Sequence, residues 1–316
     1  ALYLAIYFLG LPFLFMYNVQ ASIFNALGDS KKPLYLLIFS SLLNIVLDMI
    51  LVIIFKQGIR GVALATLIAQ GISAVISFLL LMRKLKGYPA EEPVRLYSGE
   101  MAVSMVKIAV PSTLQQSIVH MGILLVQSVV NSFGSAALAG YSAGSRIESL
   151  SIVPMLAMGN AMSTFTAQNI GAGKTKRAKK SMFTGIGVGL VVGCMVFLLV
   201  MLKGDMLAGF FTTDAAVIQK GYAYLKGFAL ETIVTAILFS MVGYFNGNNK
   251  TVWVMTQGLI QTLLVRLPFA YVMSIQPDAS LTKIGLAAPV STMVGIVLNV
   301  GFYIYLGKQE KKISKK

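Results

Sequence analysis

Six ionisable residues stand inside long apolar stretches of the chain: Asp48, His120, Arg146, Glu148, Glu231 and Arg266. Charge at the centre of a bilayer costs roughly 2.5 to 3.5 kcal/mol per residue on insertion scales, so each of these needs a partner or a water-filled chamber. A carboxylate in such a place can exchange a proton or hold a small cation, since removal from water disfavours its ionised form. Glu231, His120, Arg146 and Glu148 are therefore the candidates for cation coupling. Glu231 also has a plainer reading, a permanent ion pair with Arg146, Arg266 or Lys220. His120 has uncharged neighbours, Gln116 and Gln127, and can line a pathway without titrating. Asp48 shares a face with Ser41 and Asn44 and reads as a structural hydrogen-bonding group.

Other chemistries fail on residue type. One cysteine, Cys194, and one histidine cannot make an internal disulfide or a Cys/His metal site, and no metal or organic cofactor is expected. Gly171-Ala172-Gly173-Lys174-Thr175 imitates a phosphate loop, but Gln168 stands where the first glycine is required and an apolar helix precedes it. Gly185, Gly187, Gly189 and Gly193 imitate a dinucleotide fingerprint; inside an apolar span they read as helix-packing residues.

The elements that must position these groups are membrane helices. The chain has 316 residues, of which 57% are hydrophobic and 12% charged; a soluble domain carries about twice that share of charge. A bilayer core of about 30 Å requires roughly 20 apolar residues per helix. Nine segments qualify, near Leu4 to Leu27, Pro33 to Phe55, Gly61 to Met82, Ile108 to Phe133, Ala137 to Ala167, Phe183 to Leu202, Gly221 to Phe245, Val252 to Ser274 and Ile284 to Leu306. They are too long for barrel strands, so an all-α integral membrane protein is the fold class.

At 100° per residue, three helices carry polar stripes. Thr113, Gln116, His120, Gln127 and Asn131 share an arc of about 60° on the fourth span, and Lys220, Tyr224, Glu231 and Thr235 share one on the seventh. Ser142, Arg146, Asn160, Thr164 and Gln168 span about 80° on the fifth, while Glu148 points nearly opposite Arg146. Five prolines fall within spans, and Pro154 and Pro268 are the expected sites of bends.

Of the 26 basic residues, eighteen lie on one side of this arrangement, six on the other, and Arg146 and Arg266 within helices. The bias places the first side, with the lysine-rich tail Lys308 to Lys316, in the cytoplasm. The net charge of +15 is thus membrane-flanking and no nucleic-acid partner is expected. An internal repeat is visible: the stretch from Tyr3 to Gly28-Asp29-Ser30-Lys31 parallels that from Tyr222 to Gly247-Asn248-Asn249-Lys250, and Gly61-Val62-Ala63 parallels Gly285-Leu286-Ala287. The second copy is preceded by three helices that the first lacks. The expectation is two six-helix lobes, nine of whose twelve helices are present: residues 1–97 the later part of an N-terminal lobe with a polar linker from about residue 83, and residues 98–316 a C-terminal lobe. Such paired bundles imply a transporter with a central cavity.

The sequence resembles the multidrug and toxic compound extrusion (MATE) family. The likeness is carried by Ala26-Leu27-Gly28-Asp29-Ser30-Lys31-Lys32-Pro33 followed by Asn44 and Asp48, by Gln168-Asn169-Ile170-Gly171-Ala172-Gly173 followed by Arg177-Ala178, by Pro111 opening a helix after the linker, and by Phe133-Gly134. It implies helices four to twelve of a twelve-helix fold, and a monomer in the cell membrane that exports organic, often cationic, compounds against entering H+ or Na+. Acids that some branches carry on helices seven and ten would correspond to Glu231 for the latter, whereas the helix-seven region offers only Gln115, Gln116 and His120. Thr113, Gln115, Gln116, Gln127, Asn131, Asn160, Tyr224 and Thr235 are the expected lining of the substrate cavity. The alternatives are a flippase for a lipid-linked saccharide, and an enzyme or receptor, for which the sequence shows neither a catalytic constellation nor a sizeable extramembrane domain.

Overall fold

The computed structural model describes residues 2–88 and 97–313, with side chains to residue 309. The expected linker residues Pro89, Ala90, Glu91, Glu92 and Pro93, with Arg95, lie outside the described residues, as do Lys315 and Lys316 and the side chains of Lys311 and Lys312. Among the described residues there is no strand, and the chain divides into two compact units, Ala1–Leu96 and Tyr97–Lys316.

The first unit holds α1 (Leu2–Ala26), α2 (Lys31–Asp48), continued by a π-helical segment Met49–Ile54, and α3 (Ile59–Leu85). A ridge of small residues at four-residue spacing, Gly61, Ala65, Ala69, Ser73 and Ser77, is buried along α3 and lets α1 and α2 pack closely on it. The second unit holds α4 (Gly99–Asn131), α5 (Ser135–Gly171), α6 (Thr175–Gly209), α7 (Ala215–Phe228), α8 (Glu231–Gly247), α9 (Thr251–Leu259), a π-helical segment Ile260–Arg266, α10 (Leu267–Ser274), α11 (Leu281–Gly285) and α12 (Ala287–Ile313). Its centre is α8, packed on α5, α6 and α12. Gly185, Gly189 and Gly193 of α6 face Ser240, Ala236 and Thr232 of α8, while Gly187 meets nothing, so three of the four glycines serve helix packing. Among the described residues, seven helices are long and apolar enough to cross a membrane, or eight if α7 and α8 form one bent span.

The bends differ from expectation. The seventh span is two helices meeting at 47° across Ala229 and Leu230, with no proline there. The Thr232 hydroxyl donates to Ala229 O at 2.8 Å and stands 3.1 Å from Gly193 O, and Thr232 N closes a three-residue turn on Ala229 O; side-chain competition for the ladder, rather than proline, opens the helix. One helical phase therefore cannot run from Lys220 through Thr235, and the expected stripe is split. Pro154 lies in α5 without ending it. Pro268 follows the π segment, where Leu267 N reaches back to Thr262 O; a wide turn relieves the clash of the ring with the preceding turn.

The repeat is visible in the fold: α3 packs on α1 and α2, as α11 and α12 pack on α7, α8 and the second π segment. Its register differs from the sequence reading. Gly28 N bonds Asn25 O and Asp29 N bonds Phe24 O, with φ +74° at Gly28; the same pair of bonds recurs at Asn249 (φ +56°), from Asn249 N to Asn246 O and Lys250 N to Phe245 O. The counterpart of Gly28 is thus Asn249, two residues beyond Gly247, because this helix-ending motif requires a left-handed residue that Gly or Asn supplies.

Candidate functional site

The second unit buries two carboxylates near one guanidinium. Glu148 (9% exposed) comes from the middle of α5, Arg266 from the end of the π segment, and Glu231 (6% exposed) from the first position of α8. Arg266 Nη2 lies 3.3 Å from Glu148 Oε1, and the Tyr224 hydroxyl donates to Glu148 Oε2 at 2.6 Å. Tyr141 stands edge-on to Tyr224 at 4.8 Å between ring centroids. The approach of α7 to α5 that permits this rests on Gly140 and Gly144: a Cβ on Gly140 would lie 2.7 Å from Gly221 N, and one on Gly144 2.8 Å from Tyr224 Cδ1.

Glu231 is held differently. Its Oε1 accepts from the Thr292 hydroxyl of α12 at 2.8 Å, Thr292 Oγ1 accepts from Gln261 Nε2 at 3.0 Å, and Gln261 Oε1 accepts from Gln257 Nε2 at 2.6 Å. Three donors in series thus end on one carboxylate oxygen. The other oxygen, Oε2, is buried without a close hydrogen bond and has the Thr235 hydroxyl, one turn further on α8, as its neighbour; Thr235 Oγ1 and Arg266 Nε are likewise buried without a close partner. Buried polar atoms are normally partnered, so an open valence here marks a place where a ligand or a proton can be accommodated.

Of the residues expected to couple cations, Glu231 and Glu148 belong to one cluster, with Arg266 acting on both. Arg146 does not join them: it is exposed, its guanidinium 5.6 Å from the Phe211 ring centroid. His120 is exposed on α4. Among the expected cavity residues, Thr113, Gln116, Asn131 and Asn160 are exposed, Gln127 is half-buried, and Gln115 packs against Gly258. Tyr224 and Thr235 correct the expectation, for both are buried inside the unit and belong to the carboxylate cluster rather than to an open lining. Asp48 also departs from its structural reading, since its Oδ1 is buried without a partner, while Asn44 Nδ2 stands 3.5 Å from Thr66 Oγ1. The motif residues hold turns: Asp29 pairs with Lys84 at 2.6 Å and Lys32 at 3.4 Å, the Tyr17 hydroxyl donates to Pro33 O, Asn169 Nδ2 donates to Phe165 O, Ala172 N to Gln168 O, and Gly173 (φ +71°) ends α5 two residues after Gly171. Sequence reasoning passed over Tyr141, Gln257, Gln261 and Thr292. The four-residue spacing of the two glutamines within an apolar run was the available signal.

Fold and site together define a multi-pass, all-helical membrane protein with an ionisable network in its interior. Its residues 111–272 match the MatE family model, which is more than half of the chain, and the chain belongs to that family of membrane transporters. A model described as lipid II flippase MurJ matches residues 1–134. The chain is 33% identical over 272 residues to the probable multidrug resistance protein YpnP of Bacillus subtilis, a match covering 86% of this chain and 61% of that protein, so it spans under two thirds of that relative. The multidrug export protein MepA of Staphylococcus aureus is 24% identical over 82% of this chain and 58% of its own length. Among solved structures, a MOP superfamily transporter from Pyrococcus furiosus superposes with a TM-score of 0.87 at 21% identity, covering 100% of this chain and 70% of that one, a likeness of fold.

Proposed function

We propose that the protein exports small organic, cationic compounds across the cell membrane in exchange for an entering cation, and that Glu231 is the group that binds the cation. The observation that carries this reading is the Glu231 carboxylate: buried, held by Thr292 through one oxygen, and open at the other. YpnP and MepA bear the names of multidrug resistance and export proteins, which supports the substrate class. The distribution of basic residues supports a cytoplasmic C-terminus. Exchange for a positive charge offsets the cost of moving a cationic compound outward against an inside-negative potential, about 2.3 kcal/mol per 100 mV. In this reading Gln116, His120 and Asn160, which are exposed, contact the compound, and no bound cofactor takes part.

The test is Glu231→Gln in the full-length protein, assayed for ethidium efflux from everted vesicles energised by an ion gradient. The expected outcome is loss of gradient-driven efflux with normal protein levels; undiminished efflux removes Glu231 from the cycle. A second reading has one observation behind it, the MurJ match over residues 1–134, and would make a lipid-linked precursor the cargo. Translocation of a fluorescent lipid-linked saccharide by the same vesicles, without ethidium efflux, reverses the preference. Against it, Arg266 is committed to Glu148 and is not free to meet a pyrophosphate.

A further inference from the structure

We infer that the seam between α5 and α6 is a binding site for one anionic phospholipid, whose phosphate is met by Arg177 and Lys180 and whose acyl chain lies along Met158, Met162 and Val188. The site is separate from the carboxylate cluster, and the inference does not depend on the role given to Glu231.

A groove of about 430 Å³ follows this seam. Its apolar part is made by Met158, Met162 and Phe165 of α5 with Gly185 and Val188 of α6. Gly185 keeps it open beside Met162, for a Cβ there would lie 2.9 Å from Met162 Sδ. Methionine side chains are flexible and polarisable, and so suit an occupant without a fixed shape, such as a hydrocarbon chain. At one end of the groove stand Arg177 and Lys180. The Arg177 guanidinium lies over the Phe165 ring, 5.5 Å from its centroid, a contact that steadies it without using its N–H donors. Two hydroxyls line the groove as well, and both are turned onto their own helix: Ser181 donates to Ala178 O at 2.7 Å and Thr184 to Lys180 O at 3.1 Å. Recognition of a headgroup therefore falls to the two cations.

Charge selects the occupant. Five of the seven residues from Lys174 to Lys180 are basic, and no acidic residue occurs between Glu148 and Asp205. Among the described residues no carboxylate pairs with Arg177 or Lys180. So one-sided a field attracts an anionic headgroup and repels a cationic compound. Order along the helix selects a lipid over a small anion. At 100° per residue Arg177, Lys180, Thr184, Val188, Val191 and Met195 share an arc of about 80° on α6. Arg177 to Thr184 takes up about 10 Å of helix, comparable to one headgroup layer, and the exposed Val188, Val191 and Met195 carry the face about 16 Å further, the depth of hydrocarbon in one leaflet. Cation, hydroxyl and apolar side chain thus succeed one another down one face as phosphate, ester and chain do in a phospholipid. The exposed apolar continuation opens the groove to the bilayer.

The experiment incubates the purified full-length protein in detergent with phosphatidylglycerol or with phosphatidylcholine of the same chains, and measures retained lipid by native mass spectrometry. Phosphatidylglycerol is expected to bind at least about tenfold more tightly than phosphatidylcholine. Arg177→Gln with Lys180→Gln is expected to abolish that preference. Lys174→Gln with Lys176→Gln removes the same charge from residues outside the groove and is expected to keep it. Val188→Trp fills the apolar part from an exposed position with both cations in place, and is expected to weaken retention of phosphatidylglycerol by about tenfold. Equal losses in the two double variants would reduce the basic stretch to a diffuse positive flank and overturn the site. Retention untouched by Val188→Trp would leave the chain outside the groove and overturn it too, as would displacement of phosphatidylglycerol by ethidium, which would make the groove a drug site. Efflux has no part in this readout, so the antiport reading stands or falls separately.

Discussion

The two copies of the repeated triplet use one topology for different purposes. In the C-terminal copy the leading helix is broken between α7 and α8, and the first residue after the break is Glu231, held by Thr292 of the third helix. In the N-terminal copy the leading helix α1 runs unbroken past Pro12. With Gly28 matched to Asn249, the position corresponding to Glu231 is Gly10, where a Cβ would lie 3.0 Å from Gln70 Oε1 of α3. A carboxylate met by a hydroxyl in one copy is thus a glycine met by a neutral amide in the other. Packing and topology are shared, while the position that carries a buried carboxylate in the C-terminal copy, beside a break that a competing threonine opens, is a glycine in the N-terminal one.

The comparison can be broken most forcefully at the ion pair. Arg266→Met alone leaves buried carboxyls without their cation and is expected to destabilise by about 3 to 5 kcal/mol, Glu148→Gln alone leaves Arg266 with Glu231 and is expected to cost less, and the double change recovers most of the Arg266→Met loss. Thermal unfolding of the four proteins in detergent measures this as a double-mutant cycle; equal losses in the single and double variants would show the pair to be incidental. Next in size is the α6–α8 contact. Gly193→Ala would press a methyl group into the Thr232 carbonyl beside the break and is expected to cost about 1 to 3 kcal/mol. Gly187→Ala meets open space and is expected to be neutral or to stabilise by about 0.5 to 1 kcal/mol.

A third test lies in the N-terminal copy. Gln70→Ala removes an amide that faces Gly10 and is expected to cost about 1 kcal/mol of stability, with gradient-driven efflux by the full-length protein unchanged. Loss of the ion response in that variant would show that both copies carry the cation. The smallest effect concerns the turn between α1 and α2. The Lys84 ammonium bonded to Asp29, with Lys32 beside it, holds that carboxyl below its ordinary value of 3.8. A depressed acid stabilises the fold above its unfolded value, and the contribution disappears as pH falls through the folded one. Wild type and Asp29→Asn are therefore expected to differ slightly in melting temperature at neutral pH and to converge below about pH 4.

The helices were legible because hydrocarbon imposes a length and a composition that few other environments require. The repeat was legible as well, although its register was not, because Gly247 resembles Gly28 in sequence while Asn249 matches it in backbone. Position inside apolar runs singled out Glu231 and Glu148, and with them Arg146, which is exposed. The failure came from treating Lys220 to Thr235 as one straight helix: a threonine hydroxyl competing for a carbonyl leaves no mark on hydropathy, yet it accompanies a bend of 47° between the segment that carries Tyr224 and the one that begins with Glu231. Partner choice was equally hidden. Arg266, Tyr224 and Glu148 come from three separate elements, and only packing shows that the guanidinium meets Glu148 while the threonine of α12 meets Glu231.

Arg266 occupies the last position of the π segment, and this placement ties its aim to chain length. A π turn holds more residues than an α turn, the state produced when one residue is inserted into a regular helix. Removing a single amino acid between Ile260 and Val265 would restore the ordinary winding and swing everything downstream around the helix axis, taking the guanidinium off its acid. The salt bridge to Glu148 is therefore set by the number of residues in this short stretch as much as by their kind.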